Sequence, residues 1–481
     1  MIPKFLPVCC HTDNVGPGST FVAISGFKEK GSTYIPQALA RGATCIVVEE
    51  HEILSPEVET LIIHHSAQLI RVTNARSALA QLSAQAWGNA HKKLKIIGIT
   101  GTKGKTTTAF LVEHILVTAG FTTALLSTVK NKILDTDLPT ILTTQQPDYL
   151  HAFFYQCVNA GVEYVVMEVA AQALTLHRVY GLEFCAIIFT NFSQEHAEFY
   201  TSLDDYFAAK ISLLEHAAHG APILLNADDP RIAQLANSLT STLPAHPERS
   251  RRVKRVNIHF FSTKNARAIM CKNNLNFTIT YNNNSLTITC PALIGSFNVS
   301  NLLAALTLAE LFSISSDAVT RACATFPGVP GRLNIYNLPN GARACIDYAH
   351  NPASFDAVLS TMRELTDHLI VIFGCGGERD ATKRPLMGAC AARYADLIII
   401  TSDNPRSENP AMIAQEIISG IAQEHMHKII LELDRATAIK KAYSHARAGS
   451  VIMLLGKGPD EYQLINGIKY PFSEREILKT L

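Results

Sequence analysis

The 481-residue sequence lacks the features that mark membrane, secreted and nucleic-acid-binding proteins. Its longest apolar runs, such as residues 397–400, fall far short of the roughly 18 residues of a membrane helix. The opening MIPKFLPVCCHTD contains two prolines and no long apolar core, so we expect no secretory signal. With 42 Lys and Arg against 41 Asp and Glu, the net charge of +1 favours neither nucleic acid nor an anionic membrane as a partner. These absences predict a soluble cytoplasmic protein.

The cysteines also show no spacing that would indicate disulfide pairs. The 11 cysteines are odd in number and scattered, and none shows the CxxC spacing of a metal or redox motif. We therefore expect buried free thiols in a reducing cytosol.

What the sequence does have is a repeated alternation of short β-branched runs, polar clusters and helix-like segments. One series runs from KLKIIGITGTKGKT to APILLNADDP, and another from HLIVIFGCGGERD to SVIMLLGKG. Apolar runs spaced in this way predict parallel strands buried on both faces, with ligands bound beyond their carboxyl ends. The predicted class is α/β, with a small domain at 1–92, a central domain at 93–326 and a Rossmann-like domain at 327–481.

Two smaller features lie outside these series. NFTITYNNNSLTIT alternates around an Asn-rich turn and predicts a β-hairpin inserted in the central domain. The segment 244–254 is basic, but no aromatic residues interleave with its arginines, so a solvated loop is favoured over a nucleic-acid contact.

The segment Gly101-Thr102-Lys103-Gly104-Lys105-Thr106-Thr107 predicts a phosphate-binding loop between a strand and a helix. Glycines let backbone N–H groups surround phosphate oxygens, and the helix N-terminus adds its positive dipole. Lys105 would reach the β- and γ-phosphates, and the Thr106 hydroxyl would bind Mg²⁺. Ile99 occupies the place of the usual first glycine, so the loop is not a regular Walker A motif.

Phosphoryl transfer needs cations, so oxygen ligands should follow neighbouring strands. Glu168, in VVMEVAAQ, and His196, in FTNFSQEHAEFY, each follow a predicted strand of this sheet. Either residue alone is more often structural, but both beside a phosphate loop predict a magnesium site.

The motifs GTKGKTT, MEVAAQAL, FTNFSQEH, YFAAK and NADD resemble, in order and spacing, those of the Mur ligase family. The resemblance covers nearly the whole chain, including HTDNVGPGSTFVAISG, GSFNVSNLLAA, PGRL, DYAHNP and FGCGGERD. It implies an ATP-dependent amide ligase of peptidoglycan synthesis with three α/β domains. DNPR further resembles the members that add meso-2,6-diaminopimelate to the D-glutamate of UDP-N-acetylmuramoyl-L-alanyl-D-glutamate through an acyl phosphate.

The resemblance assigns roles that composition alone does not. It implies that Lys210 carries a carbamate and, with Glu168 and His196, serves two Mg²⁺ sites. Lys105, His196 and Lys210 would be the catalytic residues. The implied ATP contacts beyond the phosphate loop are Asn298, Asn301, Arg332 and Asp347, with Tyr348 and His350 nearby.

The same resemblance implies a site for the UDP-linked substrate, formed by Thr12, Thr143, Thr144, Ala170 and Arg178. The sequence departs from the family there. Met167-Glu168-Val169-Ala170-Ala171-Gln172 stands where MEVSSH is usual, and Leu176 where a glutamine is common.

The diaminopimelate site would lie in the last domain, at Arg379, Asp403, Asn404, Pro405, Arg406, Gly456 and Asp460. The arginines suit carboxylates, and an acid near Gly456 is needed for the ammonium. GKGPDE replaces the usual GKGHE, which makes Asp460 the aligned acid and Glu461 the other candidate.

Three alternatives stay open: a lysine-adding ligase of the same family, a folylpolyglutamate synthetase, and a relative that binds nucleotide without catalysis. Arg406 argues against lysine, which has no second carboxylate, and the UDP-domain motif argues against folate. We expect a monomer with no nucleic-acid partner.

Overall fold

The computed structural model describes residues 2–26, 29–193, 199–241, 257–271, 274–281 and 284–481. The basic segment 244–254 and His196 lie outside these residues. The chain divides into two compact units, Met1–Ser262 with Leu302–Val319, and Thr263–Asn301 with Thr320–Leu481. No helix in the described ranges is both long and apolar enough to cross a membrane.

The first unit begins with a four-stranded parallel sheet whose strand order follows the chain. Its strands are Val8–Cys9, Thr20–Val22, Cys45–Glu49 and Gln68–Val72. Its helices are Ile35–Ala40, Pro56–His64 and Ala75–Ala86, with short 3-10 turns at Thr12–Asn14, Gly31–Tyr34 and Ala90–Lys93. The two inner strands confirm the prediction from FVAISG and ATCIVVEE. The outer two were not predicted, because one has two residues and the other is half-exposed.

The first unit also holds an eight-stranded sheet. Its six adjacent parallel strands include the five that were predicted, and two more strands add an antiparallel edge. In spatial order its strands are Asn257–Phe261, Pro222–Asn226, Ala186–Phe189, Lys95–Thr100, Tyr164–Glu168, Thr123–Leu126, Asn131–Ile133 and Thr136–Leu138. Its helices are Lys105–Thr118, Pro147–Asn159, Ala171–Thr175, Leu203–Ile211, the 3-10 turn Ser212–His216, and Pro230–Ser241. Buried Ile, Val, Leu and Ala are the most frequent residues of the inner strands, as expected for a sheet with helices on both faces.

The N-terminal and central segments pack together within this unit. The Trp87 and Tyr155 rings lie 4.9 Å apart, and the Cys10 N–H donates to buried Asp148 at 3.2 Å. The predicted boundary at residues 92 and 93 thus falls inside one compact unit, and the three-domain boundaries remain a prediction.

The second unit contains a six-stranded sheet with one antiparallel edge strand. Its strands, in spatial order, are Asn334–Asn337, Arg343–Asp347, Val451–Leu455, Leu369–Phe373, Leu397–Ile400 and Ile429–Leu431. Its helices are Pro352–Arg363, Lys383–Tyr394, Pro410–Ile418, Arg435–His445 and Glu474–Lys479, with a 3-10 turn at Gln423–Lys428 and a hairpin at Tyr462–Ile465 and Ile468–Pro471.

The strands of the predicted Asn-rich hairpin are confirmed, and a third strand extends it. These strands belong to the second unit, whereas the sequence predicted them in the central domain. The antiparallel strands are Ala266–Cys271, Asn274–Tyr281 and Asn284–Cys290, after a 3-10 turn at Thr263–Asn265. The chain passes between the two units within the helices Ser296–Leu311 and Ser316–Thr325.

Two buried histidines should make the first unit sensitive to acid. The rings of His91 and His151 lie 5.0 Å apart, and neither Nδ1 atom has a hydrogen-bond partner among the described residues. Burial lowers the pKa of His151 from 6.5 to about 3, and it also lowers the pKa of His91. The rings are therefore neutral in the folded protein, whereas the unfolded chain binds protons as the pH falls below 6.5. Stability should be full above that pH and fall toward the lowered pKa values.

As the pH falls below the unfolded-state pKa, we expect each of the two histidines to lower the unfolding free energy by up to about 1.4 kcal/mol per pH unit. Denaturant titrations between about pH 7.5 and about pH 5.5 would measure this slope. His151→Gln should reduce it, while exposed His64→Gln should keep the wild-type slope. A wild-type slope in His151→Gln would contradict the prediction.

Candidate active site

The phosphate loop joins the strand Lys95–Thr100 to the helix Lys105–Thr118, as predicted. Gly104, with φ +80°, is the N-cap of this helix. Thr106 is buried in the first helical turn. A helix N-terminus presents unpaired N–H groups and a positive dipole, so this loop is suited to a phosphate.

The loop is held in place by the end of the neighbouring strand. Asn191 accepts from the Lys103 N–H at 2.8 Å and donates to the Lys103 carbonyl at 3.0 Å. The Thr190 hydroxyl donates to the same carbonyl at 2.6 Å, and a Cβ at Gly101 would collide with that hydroxyl. Sequence reasoning missed Thr190 and Asn191. Their position after a parallel strand, inside FTNF, was the available signal.

Two lysines share one carbonyl oxygen of the loop. Lys105 Nζ donates to the carbonyls of Gly101 at 2.8 Å and Thr102 at 3.0 Å. Lys210 Nζ donates to the Gly101 carbonyl at 2.8 Å as well. Lys210 is almost fully buried, and its Nζ lies 4.6 Å from the centre of the Tyr206 ring. Two ammonium groups on one oxygen repel each other at low dielectric.

Glu168 ends the strand Tyr164–Glu168 and is fully buried. Its Oε1 accepts from the Thr128 N–H at 2.8 Å, and its Oε2 from the Thr128 hydroxyl at 3.1 Å. In the described part of the chain, no lysine or arginine forms an ion pair with it. A buried carboxylate held only by neutral donors is costly without a cation, so this residue fits a metal ligand.

The predicted substrate threonines lie beside this carboxylate. Thr143 Oγ1 lies 3.0 Å from the Thr128 hydroxyl. Thr144 Oγ1 donates to the Glu168 carbonyl at 2.9 Å and accepts from the Ala170 N–H at 3.0 Å. Arg178 donates to the Thr144 carbonyl at 2.9 Å. The structure therefore brings together four residues that were predicted to bind substrate.

Thr12 is a buried residue of the 3-10 turn Thr12–Asn14, and its hydroxyl donates to Gln37 Oε1 at 3.1 Å. Its role in binding the UDP moiety stays a prediction, as do the roles of the other predicted site residues.

In the second unit, the predicted diaminopimelate residues follow three adjacent parallel strands. A Cβ built on Gly376 would lie 3.0 Å from Arg406 Nη1 and 3.7 Å from Arg379 Cγ, so both arginines approach this glycine. Arg406 Nη1 donates to the Gly377 carbonyl at 2.6 Å. The Arg406 backbone has φ +54° and forms hydrogen bonds with the backbone of Leu464 and Asn466 in the hairpin.

Lys457 holds the turn that carries Asp403 and Asn404, a role that the sequence did not reveal. Its side chain is fully buried, and its Nζ lies 3.4 Å from Asp403 Oδ1 and donates to Asn404 Oδ1 at 3.2 Å. Burial lowers the pKa of Lys457, while Asp403 opposes that shift. A Cβ on Gly456 would lie 3.3 Å from Asp403 Oδ2, so these two predicted residues adjoin.

Asp460 belongs to the same cluster, and Glu461 does not. Asn404 Nδ2 donates to Asp460 Oδ2 at 3.5 Å, and burial raises the pKa of Asp460. Glu461 instead forms an exposed ion pair with Arg475 at 2.8 Å. The geometry favours Asp460 of the two candidate acids.

The predicted nucleotide residues of the second unit are also buried. Asn298 Nδ2 donates to the Ile294 carbonyl at 2.7 Å, and Asn301 Nδ2 to Asn298 Oδ1 at 2.9 Å. Asp347 accepts from the N–H groups of Leu333 and Ala349 at 2.8 and 2.7 Å.

Arg332 lines a cavity of about 300 Å³, formed by residues 291–292, 294, 326–329 and 332–335. Its guanidinium lies 4.8 Å from the centre of the Tyr348 ring. Within the described residues, its buried Nε has no hydrogen-bond partner. A buried donor of this kind can be satisfied by a ligand.

Gly101→Ala should abolish nucleotide binding. The new Cβ would collide with Thr190 Oγ1, and φ +143° is strained for any side chain, so the loop must shift. Gly120→Ala is the matched control, because Gly120 has φ +96° but no atom within 4 Å of its Cβ position. The control should lose about 1–2 kcal/mol of stability and keep nucleotide affinity in calorimetric titrations with ATP. Wild-type affinity in Gly101→Ala would contradict the prediction.

Three family models match the chain in succession. The model described as "Mur ligase family, catalytic domain" matches residues 8–87. That of the Mur ligase middle domain matches residues 99–309. That of the glutamate ligase domain of Mur ligases matches residues 331–458.

Whole-length relatives agree with these matches. The UDP-N-acetylmuramoyl-L-alanyl-D-glutamate–2,6-diaminopimelate ligase of Clostridium botulinum is 36% identical, over 97% of this chain and 93% of its own length. The ligase of the same name from Chlorobaculum tepidum is 36% identical, over 98% and 91%. A solved structure of a ligase with this name has a TM-score of 0.66 and 27% identity, covering 99% and 94%. The MurF ligase of Thermotoga maritima in complex with ADP, at 18% identity and a TM-score of 0.63 over 94% of both chains, shares the fold. The chain therefore belongs to the Mur ligase family.

Proposed function

We propose that this chain is an ATP-dependent ligase that joins meso-2,6-diaminopimelate to the D-glutamate of UDP-N-acetylmuramoyl-L-alanyl-D-glutamate, a step in peptidoglycan precursor synthesis. Relatives with this name, 35–36% identical over 96–98% of the chain, support the proposal. The structural observation that carries it is the hydrogen bond from the Thr144 hydroxyl to the backbone carbonyl of Glu168, at the end of the strand that pairs with the phosphate-loop strand.

In the first step, a carboxylate oxygen of the D-glutamyl group attacks the γ-phosphorus of ATP, and ADP leaves. The helix N-terminus at Gly104 and the Lys105 ammonium stabilise phosphate charge. Bound Mg²⁺ would be held by Thr106, Glu168, His196 and carbamylated Lys210, and would neutralise charge on the transferred phosphoryl group. Thr143, Thr144 and Arg178 would orient the substrate.

In the second step, an amine of diaminopimelate attacks the acyl carbon, phosphate leaves, and the nitrogen loses a proton. The residues of the second unit hold this amino acid. Arg379 and Arg406 would pair with the distant carboxylate, and Asp460 with the distant ammonium. The buried Lys457 side chain orients Asp403 and Asn404 through its contacts with their side-chain oxygens.

We also propose that Asn298, Asn301, Asp347 and Arg332 bind the nucleotide, with the buried Nε of Arg332 as a hydrogen-bond donor. We also propose domains at 1–92, 93–326 and 327–481, which the three family-model matches support. A cytoplasmic monomer remains our expectation. Each of the ten cysteines whose side chains the structure describes is free, which fits a reducing compartment.

Phosphate release tests the function directly. The purified chain should release phosphate from ATP only when the UDP-linked dipeptide and meso-diaminopimelate are both present, and the tripeptide product should appear by mass spectrometry. Preference for L-lysine would support the lysine-adding alternative. Turnover with a folate substrate, or nucleotide binding without turnover, would support one of the other two alternatives.

The carbamate on Lys210 forms when its neutral Nζ adds to CO₂ and releases a proton. The near-complete burial of Lys210, and the carbonyl oxygen it shares with Lys105, support this modification because it removes one of two adjacent positive charges. We expect Lys210→Ala to lose activity and short carboxylates to restore part of it. The control is Lys428→Ala, since Lys428 caps the carbonyls of Ala392 and Ala395 in the second unit. Full activity of Lys210→Ala at low CO₂ would contradict the carbamate.

Amine selection should depend on Arg406. In Arg406→Ala the distant carboxylate of diaminopimelate loses its partner, which typically costs about 2–5 kcal/mol. Lysine has no such carboxylate, so its poor use should change little. We expect kcat/KM for diaminopimelate to fall, with the KM values for ATP and the UDP-substrate nearly unchanged. Exposed Arg393, paired with Asp356 on the helices of the second unit, supplies the control Arg393→Ala. An equal loss for both amino acids would mean that Arg406 only supports the fold.

A further inference from the structure

We propose that Thr128 is a positioning residue that orients both Glu168 and Thr143; this inference rests on the proposed function. Thr128 follows the strand Thr123–Leu126, which pairs in parallel with Tyr164–Glu168. No sequence motif marks it, yet it touches a predicted metal ligand and a predicted substrate residue at once.

Thr128 holds both oxygens of the Glu168 carboxylate. Its N–H donates to Oε1 at 2.8 Å, and its hydroxyl donates to Oε2 at 3.1 Å. Two donors from one residue hold the carboxylate plane in one orientation. An ionised carboxylate has about four lone-pair sites, so acceptor capacity remains on each oxygen for a cation. Hydrogen-bond partners of this kind orient a metal ligand and tune its affinity.

The Thr128 hydroxyl also links Glu168 to Thr143. Its proton faces two acceptors, Glu168 Oε2 at 3.1 Å and Thr143 Oγ1 at 3.0 Å. Because the Thr128 hydroxyl is the donor in both contacts, the Thr143 hydroxyl keeps its own proton and can donate it to an oxygen of the substrate.

The adjacent threonine supports this arrangement independently. Thr144 Oγ1 donates to the Glu168 carbonyl at 2.9 Å and accepts from the Ala170 N–H at 3.0 Å. Both residues of the pair are thus tied to the end of the strand that carries the metal ligand. Removing the Thr128 hydroxyl should therefore disturb metal affinity and substrate affinity together, whereas removing the Thr143 hydroxyl should disturb substrate affinity alone.

The test measures Mn²⁺ affinity in the presence of ADP by electron paramagnetic resonance, with kcat and KM for the UDP-linked dipeptide. Thr128→Val should lose about 10–100-fold in Mn²⁺ affinity and raise the KM for the UDP-substrate. Thr128→Ser keeps the hydroxyl and should restore most of both. Thr143→Val should raise that KM and keep wild-type Mn²⁺ affinity. The matched control is Thr361→Val, because the buried Thr361 hydroxyl donates to a carbonyl of its own helix in the second unit.

Wild-type Mn²⁺ affinity in Thr128→Val would overturn the positioning role, and so would a Thr128→Ser variant as impaired as Thr128→Val. Loss of Mn²⁺ affinity in Thr143→Val would overturn the separation of the metal-positioning role of Thr128 from the substrate role of Thr143. If Thr128→Val does not fold, the Thr128→Ser and Thr143→Val variants still test the positioning role of Thr128. A wild-type chain that neither binds Mn²⁺ with ADP nor releases phosphate would instead overturn the proposed function, and this inference with it.

Discussion

The central sheet of the first unit depends on one constraint: strands buried on both faces cannot carry polar side chains along their length. Polar groups are therefore concentrated where the strands end, and parallel strands end at the same edge. At that edge the loop after Lys95–Thr100 runs so close to Thr190 that only glycine fits at position 101. The same edge brings Glu168 and Thr128 within hydrogen-bonding distance. The position of the site thus follows from the burial of the strands on both faces of the sheet.

Buried charged side chains differ in the groups that compensate them. In the second unit, Lys457 faces Asp403, and buried Arg435 pairs with Glu474 at 2.8 Å, so each of these cations has an anion beside it. In the first unit, the buried Glu168 carboxylate is held by the N–H and the hydroxyl of Thr128, and no lysine or arginine of the described residues forms an ion pair with it. Burying charge is costly unless a partner compensates it. The Glu168 carboxylate is therefore suited to a divalent cation.

The sequence predicted the fold better than it predicted the side-chain contacts of the site. Buried strands such as Leu369–Phe373 have a strong apolar signature, and the two main sheets were predicted from it. The short or half-exposed strands, Val8–Cys9 and Thr136–Leu138, have no such signature, because tertiary pairing alone makes them strands. Local motifs identified Lys105 and Glu168 as candidates. The hydrogen-bond or ion-pair partners of Asn191, Thr128 and Lys457 lie 88, 40 and 54 residues away in the sequence. A local sequence motif does not reveal contacts at such separations.

Two of the departures from the family pattern, at position 170 and at Asp460, can be understood from the contacts that these residues make. At position 170 the group in contact with Thr144 is the backbone N–H, which alanine supplies as well as serine does. The loss of a hydroxyl at this position therefore leaves the Thr144 contact intact. At the other departure, the shorter Asp460 already reaches Asn404, while Glu461 is held by Arg475. Burial raises the pKa of Asp460, and a ligand ammonium would oppose that shift by stabilising the charged carboxylate. The Thr144 contact thus does not depend on the side chain at position 170, and Asp460 is the acid that the structure places beside Asn404.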